Sequence, residues 1–345
     1  MRRLWLLVVL ALAGCGSPPA PPAASRSATP GPTPTAIASA STTAIPLGRS
    51  ATAMAYDAAR HNVVLFGGLG GQGLLDDTWT WNGSSWTPHL GMTATPQARK
   101  SAAIAYDETR QQVVLFGGIS ATGQLNDTWA WDGTAWQSLH PAHAPPAREG
   151  APMAYDPALG AIVLFGGMND APPKPSSLND TWQWKGGDWT PLQPAQSPGG
   201  GSRPRLAYLS GVNQLERFGD CSESKDRNVY GFDGHTWTPH PPSGTWPPAL
   251  CRPALAGDGQ RHLLVLFGGN SAAQPAAGDT WTYNGTAWSK QAPAQSPPVR
   301  DDAAMIYDGD HHLSVLFGGL GLTEGQAGPL NDTWSWDGSN WTLRQ

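Results

Sequence analysis

Six arginines recur along the chain at a spacing close to fifty residues, and their guanidinium groups are the first candidates for chemistry. They are Arg49, Arg99, Arg148, Arg203, Arg252 and Arg300. A ring of guanidinium groups would attract an anionic ligand such as a phosphate or a carboxylated sugar, because each presents a rigid fork of N–H donors. The structural alternative is that each arginine bonds carbonyls or carboxylates of a neighbouring unit, with Glu149, Asp301 and Asp302 as counter-charges. Recurrence in every unit favours the structural alternative.

The six arginines mark six repeated units of about fifty residues, whose strands are described below. A second candidate site lies in the fourth unit, which starts near Arg203 and departs most from the pattern of the others. Its loop after Phe218 carries the densest charge of the repeat region, and Arg205 adds a cation on the first strand of the same unit. The charged loop residues are Asp220, Glu223, Lys225, Asp226 and Arg227. We predict that Arg205, Glu223, Lys225, Asp226 and Arg227 contribute to ligand binding. The alternative is neutral variation of a surface loop.

The chain has three cysteines, Cys15, Cys221 and Cys251. Cys221 follows the second strand of the fourth unit, and Cys251 directly precedes the arginine of the fifth, so both map to the same face of adjacent units. In an oxidising compartment this pair is a candidate disulfide. The alternative is two free thiols, which labelling before and after reduction would distinguish.

The nine histidines show no spacing typical of a metal site. Four of them, His61, His262, His311 and His312, fall in turns between first and second strands, where we expect solvated side chains. No nucleophile elbow, phosphate loop or nucleotide motif occurs. We therefore assign no catalytic residue, no metal and no cofactor.

The first residues are typical of an export signal rather than of a folded domain. Arg2 and Arg3 precede an apolar run from Leu4 to Leu12, and Leu12-Ala-Gly-Cys15 resembles the bacterial lipobox. We predict a signal peptide over residues 1–14 and lipidation of Cys15, which would anchor the protein to the outer side of a bacterial membrane, at the cell surface or in the periplasm. An ordinary secretory signal and a short membrane anchor are the alternatives.

Residues 15–48 are rich in Pro, Ala, Ser and Thr, with Arg26 as the sole charge before Arg49. This composition buries almost nothing and predicts a disordered tether. The formal net charge of the whole chain is −5, which gives no reason to expect a nucleic-acid partner. We expect a monomer.

A repeated unit of four short strands fills residues 49–345. Each unit reads as an arginine strand, an apolar strand ending in a Phe-Gly-Gly such as Phe66-Gly-Gly68, an Asn-Asp-Thr-Trp strand such as Asn126–Trp129, and a strand that begins with Trp. The arginine stands seventeen residues before the phenylalanine in four units and fifteen before it in the units of Arg203 and Arg252. Four antiparallel strands cannot bury both faces alone, so units must pack side by side and the tryptophans become filler between them.

The order of these motifs resembles the Kelch repeat and the central domain of galactose oxidase. The resemblance implies an all-β, six-bladed β-propeller with four antiparallel strands per blade, whose blades start near residues 49, 99, 148, 203, 252 and 300. The fourth unit departs most, with Gly219-Asp220 for the glycine pair. The fold hosts many unrelated activities. We expect a binding module for an unknown protein or glycan ligand. The alternative is an enzyme acting on acidic sugars, similar to Kelch-type sialic-acid mutarotases.

Overall fold

Strands and turns make up the regular structure of the residues that the computed structural model describes, which are 44–170, 176–201, 203–219, 228–241, 244–248, 250–270, 277–323 and 326–345. No helix occurs among them, and hence none that could cross a membrane. Residues 43–345 form one compact unit. The predicted signal peptide, Cys15 and nearly all of the predicted tether lie outside the described residues.

Six antiparallel sheets of four sequential strands follow one another along the described part of the chain, and each comes from one continuous stretch. We number them sheets 1 to 6. Sheet 1 comprises Ala53–Asp57, Asn62–Gly70, Gly73–Trp81 and Trp86–His89, with Arg49–Ser50 added at the end of its second strand. Sheet 2 comprises Ala103–Asp107, Gln112–Phe116, Thr128–Trp131 and Trp136–Leu139. Sheet 3 comprises Met153–Asp156, Ala161–Asn169, Ser176–Lys185 and Asp188–Leu192.

The remaining three sheets repeat this order. Sheet 4 comprises Arg205–Leu209, Gln214–Phe218, Val229–Phe232 and Trp237–His240. Sheet 5 comprises Ala254–Asp258, Leu263–Phe267, Thr280–Tyr283 and Trp288–Lys290. Sheet 6 comprises Ala304–Asp308, Leu313–Phe317, Thr333–Trp336 and Trp341–Leu343. Two small sheets lie beside sheets 2 and 6, formed by Ile119–Ser120 with Gly123–Gln124, and by Arg300–Asp301, Leu320–Thr323 and Gln326–Pro329.

In the second strand of every sheet, four consecutive residues ending at the phenylalanine are buried. In sheet 1, Val63 to Phe66 are at most 1% exposed, as expected for an apolar strand covered on both faces. The glycine that follows adopts a positive φ of 60° at Gly67, and a Cβ there would lie 2.7 Å from the carbonyl oxygen of Arg99. The backbone of the next unit therefore approaches too closely for any other residue.

One aromatic contact joins each sheet to the next. The phenylalanine of each second strand packs against the tryptophan near the start of the fourth strand of the following sheet, with ring centroids 4.9–5.3 Å apart. The pairs are Phe66–Trp136, Phe116–Trp189, Phe165–Trp237, Phe218–Trp288, Phe267–Trp341 and Phe317–Trp86. The last pair joins sheet 6 to sheet 1, so the contacts form a closed series.

A buried hydrogen bond accompanies most of these contacts. The indole Nε1–H of Trp136 donates to Thr78 Oγ1 of the preceding sheet at 2.8 Å, and Trp86 donates to Thr333 of sheet 6 at the same distance. In sheet 4 the equivalent of the threonine is Val229, because Val229 pairs with His240 as Thr128 pairs with Leu139. The Nε1 of Trp288, which faces sheet 4, has no hydrogen-bond partner among the described residues. The junction of sheets 4 and 5 therefore lacks one polar contact of the repeat.

The first strands contact one another in sequence, and the first strand of sheet 6 contacts that of sheet 1. They surround a channel that is divided into two cavities. Both cavities share one ring of apolar side chains, one from each first strand: Met54, Ile104, Met153, Leu206, Leu255 and Met305. This apolar ring separates the two ends of the channel.

Candidate functional site

Four of the six arginines are buried inside their own units. Arg49, Arg99, Arg148 and Arg300 are at most 1% exposed. Each guanidinium forms two bonds of 2.5–2.8 Å to the aspartate of its Asp-Thr-Trp motif and donates a third to the carbonyl of the first glycine after the phenylalanine. The aspartates are Asp77, Asp127, Asp180 and Asp332.

The same aspartates also accept the indole N–H of the tryptophan two residues later, as Asp127 does from Trp129 at 2.7 Å. We name this Arg–Asp–Trp arrangement the clamp. It fixes the end of the second strand to the third strand, and it leaves no guanidinium N–H facing solvent. The hypothesis that the guanidinium groups of Arg49, Arg99, Arg148 and Arg300 form a ring that binds an anionic ligand is therefore wrong. They bond within their own unit, not to the neighbouring one as the structural alternative stated.

Arg203 and Arg252 are not equivalents of the clamp arginines. Arg205 pairs with Phe218 in the register in which Ala53 pairs with Phe66, so Arg203 stands where sheet 1 has Ala51. Arg252 holds the same place before Ala254, which pairs with Phe267. Arg203 and Arg252 are closer in sequence to the phenylalanine because they stand two residues later in the unit than the clamp arginines do. No residues are deleted from the strands of these two units. Counting back two residues puts Gly201 and Leu250 at the clamp position.

The residues that occupy the position of Arg203 and Arg252 in the six units form a ring at one end of the channel. Its six members all have φ between 51° and 66°: Ala51, Ser101, Gly150, Arg203, Arg252 and Asp302. Backbone hydrogen bonds of 2.8–3.0 Å link five of these residues in the order Arg252, Asp302, Ala51, Ser101 and Gly150, including Ala51 N to Asp302 O between units 1 and 6. Five of the six residues carry a Cβ in a conformation that favours glycine, and for Ala51, Ser101, Arg252 and Asp302 these bonds between units stabilise it.

The charged side chains of this ring gather on one side of it. Arg203 contacts Glu149 at 3.2 Å and Asp302 at 3.5 Å, and Arg205 contacts Asp302 at 3.4 Å. Arg205 Nε also donates to the Pro253 carbonyl at 2.6 Å. We call the set Glu149, Arg203, Arg205, Arg252, Asp301 and Asp302 the charged mouth.

Arg252 completes the charged mouth from sheet 5. It contacts Asp301 at 3.3 Å and Asp302 at 3.7 Å, and Asn270 donates a short hydrogen bond to Asp301. The arginine side chains are 20–28% exposed, so solvent reaches them, unlike the clamp. Arg203, Arg205 and Asp302 also line a cavity of about 140 Å³ at this end of the channel. Glu149, Asp301 and Asp302 are the counter-charges that the sequence suggested.

Burial shifts the pKa of two groups of the charged mouth, Asp301 and Arg205. Desolvation raises the pKa of Asp301 above its ordinary value, against the opposing charge of Arg252. Desolvation likewise lowers the pKa of Arg205, and the charge of Asp302 opposes the change. Three arginines thus face three carboxylates in a partly dehydrated site, and every cation of the charged mouth has a carboxylate within 4 Å.

A family model described as the KLHDC2/KLHL20/DRC7 Kelch-repeats domain matches residues 35–209, just over half of the chain. The chain belongs to the Kelch-repeat family. The match agrees with the repeated four-stranded sheets, and the fold is a Kelch-type β-propeller. A search among curated proteins gave no match.

Several predicted residues of the Kelch units lie outside the described part of the chain. These are Asp220, Cys221, Glu223, Lys225, Asp226 and Arg227. Cys251 is disulfide-bonded, while its proposed partner Cys221 is not described, so the pairing stays a prediction. His61 and His311 lie in Kelch turns, where they contact Asp310 and Asp308. Among the residues with described positions, no group of His, Cys, Asp or Glu is arranged to hold a metal ion.

The clamp of a Kelch unit is expected to contribute to stability above acidic pH. Burial would raise the pKa of Asp77, Asp180 and Asp332, but hydrogen bonds and charge from the paired arginines outweigh it, and each pKa is lowered. Replacing Asp332 with Asn leaves Arg300, which is fully buried, without its counter-charge. We predict a loss of about 3 kcal/mol in the free energy of unfolding at neutral pH, measured by urea titration.

The matched control is Asp279→Asn. Asp279 precedes Thr280 as Asp332 precedes Thr333, but its unit has Leu250 at the clamp position, and Asp279 pairs with the exposed Lys290. Its loss should stay below about 1 kcal/mol. The Asp332 effect should persist above the ordinary aspartate pKa of 3.8 and shrink as pH falls through the lower folded-state pKa. Equal losses in the two variants would contradict a structural role for the clamp.

Proposed function

We propose that this chain is an exported, lipid-anchored, non-catalytic binding module that recognises a protein partner at the charged mouth of a closed six-bladed Kelch propeller. Six blades are supported by the Phe–Trp series and by the backbone bond between Ala51 and Asp302, since both connect the sixth unit to the first. Kelch-repeat domains generally mediate protein interactions. A partner bound at the charged mouth would contact one end of the channel and would leave the strand pairing within the sheets unchanged.

The observation that carries this proposal is the asymmetry of the ring. Units 1 and 2 contribute the uncharged Ala51 and Ser101, whereas Arg203, Arg252 and Asp302 bring all the ring charge to units 4 to 6. A partner segment that carries both charge signs can exchange ion pairs with such a cluster, which favours specificity over raw affinity. Arginine is also among the residues that dominate interface energetics.

The compensated charges favour binding over catalysis. A general acid or base for sugar chemistry would need a carboxylate free to exchange a proton with substrate. In the described part of the charged mouth, Glu149, Asp301 and Asp302 each contact an arginine. The sialic-acid mutarotase alternative therefore gains no support from this geometry.

Export and anchoring rest on the N-terminal sequence and on Cys251. The lipobox-like Leu12-Ala-Gly-Cys15 follows a short apolar run, and a disulfide at Cys251 is typical of oxidising compartments outside the cytoplasm. A tether over residues 15–48 would separate the propeller from the membrane surface.

For the anchor, Cys15→Ala is the decisive change. We expect the wild-type chain in the membrane fraction of a bacterial host and the variant mainly in the exported soluble fraction, because the thiol that accepts the lipid is gone. Cys251→Ala serves as the control that retains Cys15 and should stay with the membrane. Unchanged membrane association of Cys15→Ala would contradict lipid anchoring.

For the binding site, the full chain can be screened against arrays of exported proteins, and the affinity of each partner remeasured with Arg252→Ala. We expect a loss of at least about tenfold, because Asp301 and Asp302 are left without that cation. Lys290→Ala is the control, since it removes an exposed cation of an outer strand. An affinity unchanged by Arg252→Ala and by Arg203→Ala would refute the charged mouth as the docking site.

A further inference from the structure

The channel end opposite the charged mouth contains a second, larger cavity of about 350 Å³. This volume lies within the range of small-molecule sites. Its floor is the apolar ring that includes Met54, Ile104 and Met153, which closes it toward the charged mouth. A ligand here would thus be independent of the binding module proposed above.

Five tyrosines line this cavity, one from each first strand except that of sheet 5: Tyr56, Tyr106, Tyr155, Tyr208 and Tyr307. They occupy one register position, as Tyr56 pairs with Val63 and Tyr307 with Ser314. Two of the hydroxyls reach the neighbouring unit, where Tyr106 accepts from Ala59 N at 3.1 Å and Tyr307 from Gln260 N at 3.2 Å. These bonds hold the aromatic wall in place.

Sheet 5 interrupts the tyrosine wall with Gly257. A Cβ at this position would lie 2.2 Å from the Tyr208 carbonyl oxygen, so no side chain fits there. Gly257, Gly259 and Ser210 all line the cavity on this side. The wall therefore has one side with few side-chain atoms, which leaves room for a ligand beside the aromatic rings.

The surroundings of the cavity carry excess negative charge. The six turns that join first to second strands contain seven carboxylates, Asp57, Asp107, Glu108, Asp156, Asp258, Asp308 and Asp310, against three arginines, Arg60, Arg110 and Arg261. Each of these arginines is paired with the aspartate three residues before it. The histidines of the same turns, His61, His262, His311 and His312, add positive charge only when protonated.

Glu108 is the carboxylate that lines the cavity itself. It has no ion-pair partner within the described part of the chain. Desolvation raises its pKa, and desolvation followed by the charges of Asp156 and Glu108 raises the pKa of Tyr208. Both groups therefore lie in a partly dehydrated environment, and the negative charges of Asp156 and Glu108 act in addition on Tyr208.

We propose that this cavity binds a small organic cation, with its ammonium group among the tyrosine rings and Glu108 as the counter-charge. Aromatic rings attract a cation through their quadrupole, and tyrosine-rich sites of this kind suit alkylated ammonium groups. The apolar ring at the floor would contact the alkyl part of the ligand.

Choline and its isostere 3,3-dimethylbutan-1-ol have the same shape, but the second is uncharged because a carbon replaces the quaternary nitrogen. Comparing their affinities therefore measures the contribution of the ligand's positive charge to binding. Calorimetric titration of the full chain with both is expected to give at least about fivefold tighter binding of choline. Glu108→Gln should weaken choline about fivefold and leave the isostere unchanged. Asp76→Asn, which removes an exposed carboxylate outside the cavity lining, should leave both affinities unchanged.

The aromatic contribution is tested at Tyr155, which lines the cavity. Tyr155→Leu should reduce choline binding about fivefold, while Tyr155→Phe, which keeps the ring, should restore it; urea unfolding of each variant checks that the fold is intact. Arg252→Ala should have no effect, which keeps this site distinct from the charged mouth. Equal affinity for choline and the isostere, no choline binding at millimolar concentration, or the same loss in Asp76→Asn as in Glu108→Gln would overturn the proposal.

Discussion

The packing of one phenylalanine against one tryptophan of the next sheet is the contact on which the rest of this structure depends. A four-stranded unit is too thin to bury its own tryptophans, so each unit is stable only beside a neighbour. Phe317 and Trp86 extend the same contact from the sixth unit to the first, at a centroid distance of 5.2 Å. In the closed ring that we propose, six first strands surround one axis, and that arrangement creates both the charged mouth and the tyrosine-lined cavity.

Two kinds of arginine arise from this geometry through a shift of two residues. A clamp arginine such as Arg99 is 1% exposed and donates to Asp127 and to the carbonyls of Gln97 and Gly117. Arg252 stands two positions later in its unit, so it is not part of a clamp and instead contacts Asp301 and Asp302 at the channel end. The position within the unit therefore decides whether an arginine is buried inside the sheet or reaches solvent at the channel end.

The repeats alone predict the all-β class, the four strands of each unit and the tryptophans between units, because burial forces a fixed pattern of apolar and aromatic residues. The equivalence of the six arginines was predicted wrongly. The sequence does contain a signal of the difference. Arg203 and Arg252 stand fifteen residues before the phenylalanine, whereas the arginines that pair with the aspartate of their own unit stand seventeen residues before it. The sequence does not predict the tyrosine-lined cavity. Tyr56 and its equivalents mark only the ends of first strands in the sequence, and they become neighbours only when the units pack around one axis.

Packing of the sixth unit on the first can be measured by a double-mutant cycle across the boundary between them. Trp86 donates a 2.8 Å hydrogen bond to Thr333, although the two residues are far apart in sequence. If the ring is closed, the unfolding free energies of Trp86→Phe, Thr333→Val and the double variant should give a coupling of about 1 kcal/mol. Strict additivity of the two changes would show that the sixth unit does not pack on the first in solution, and the ring would then be open.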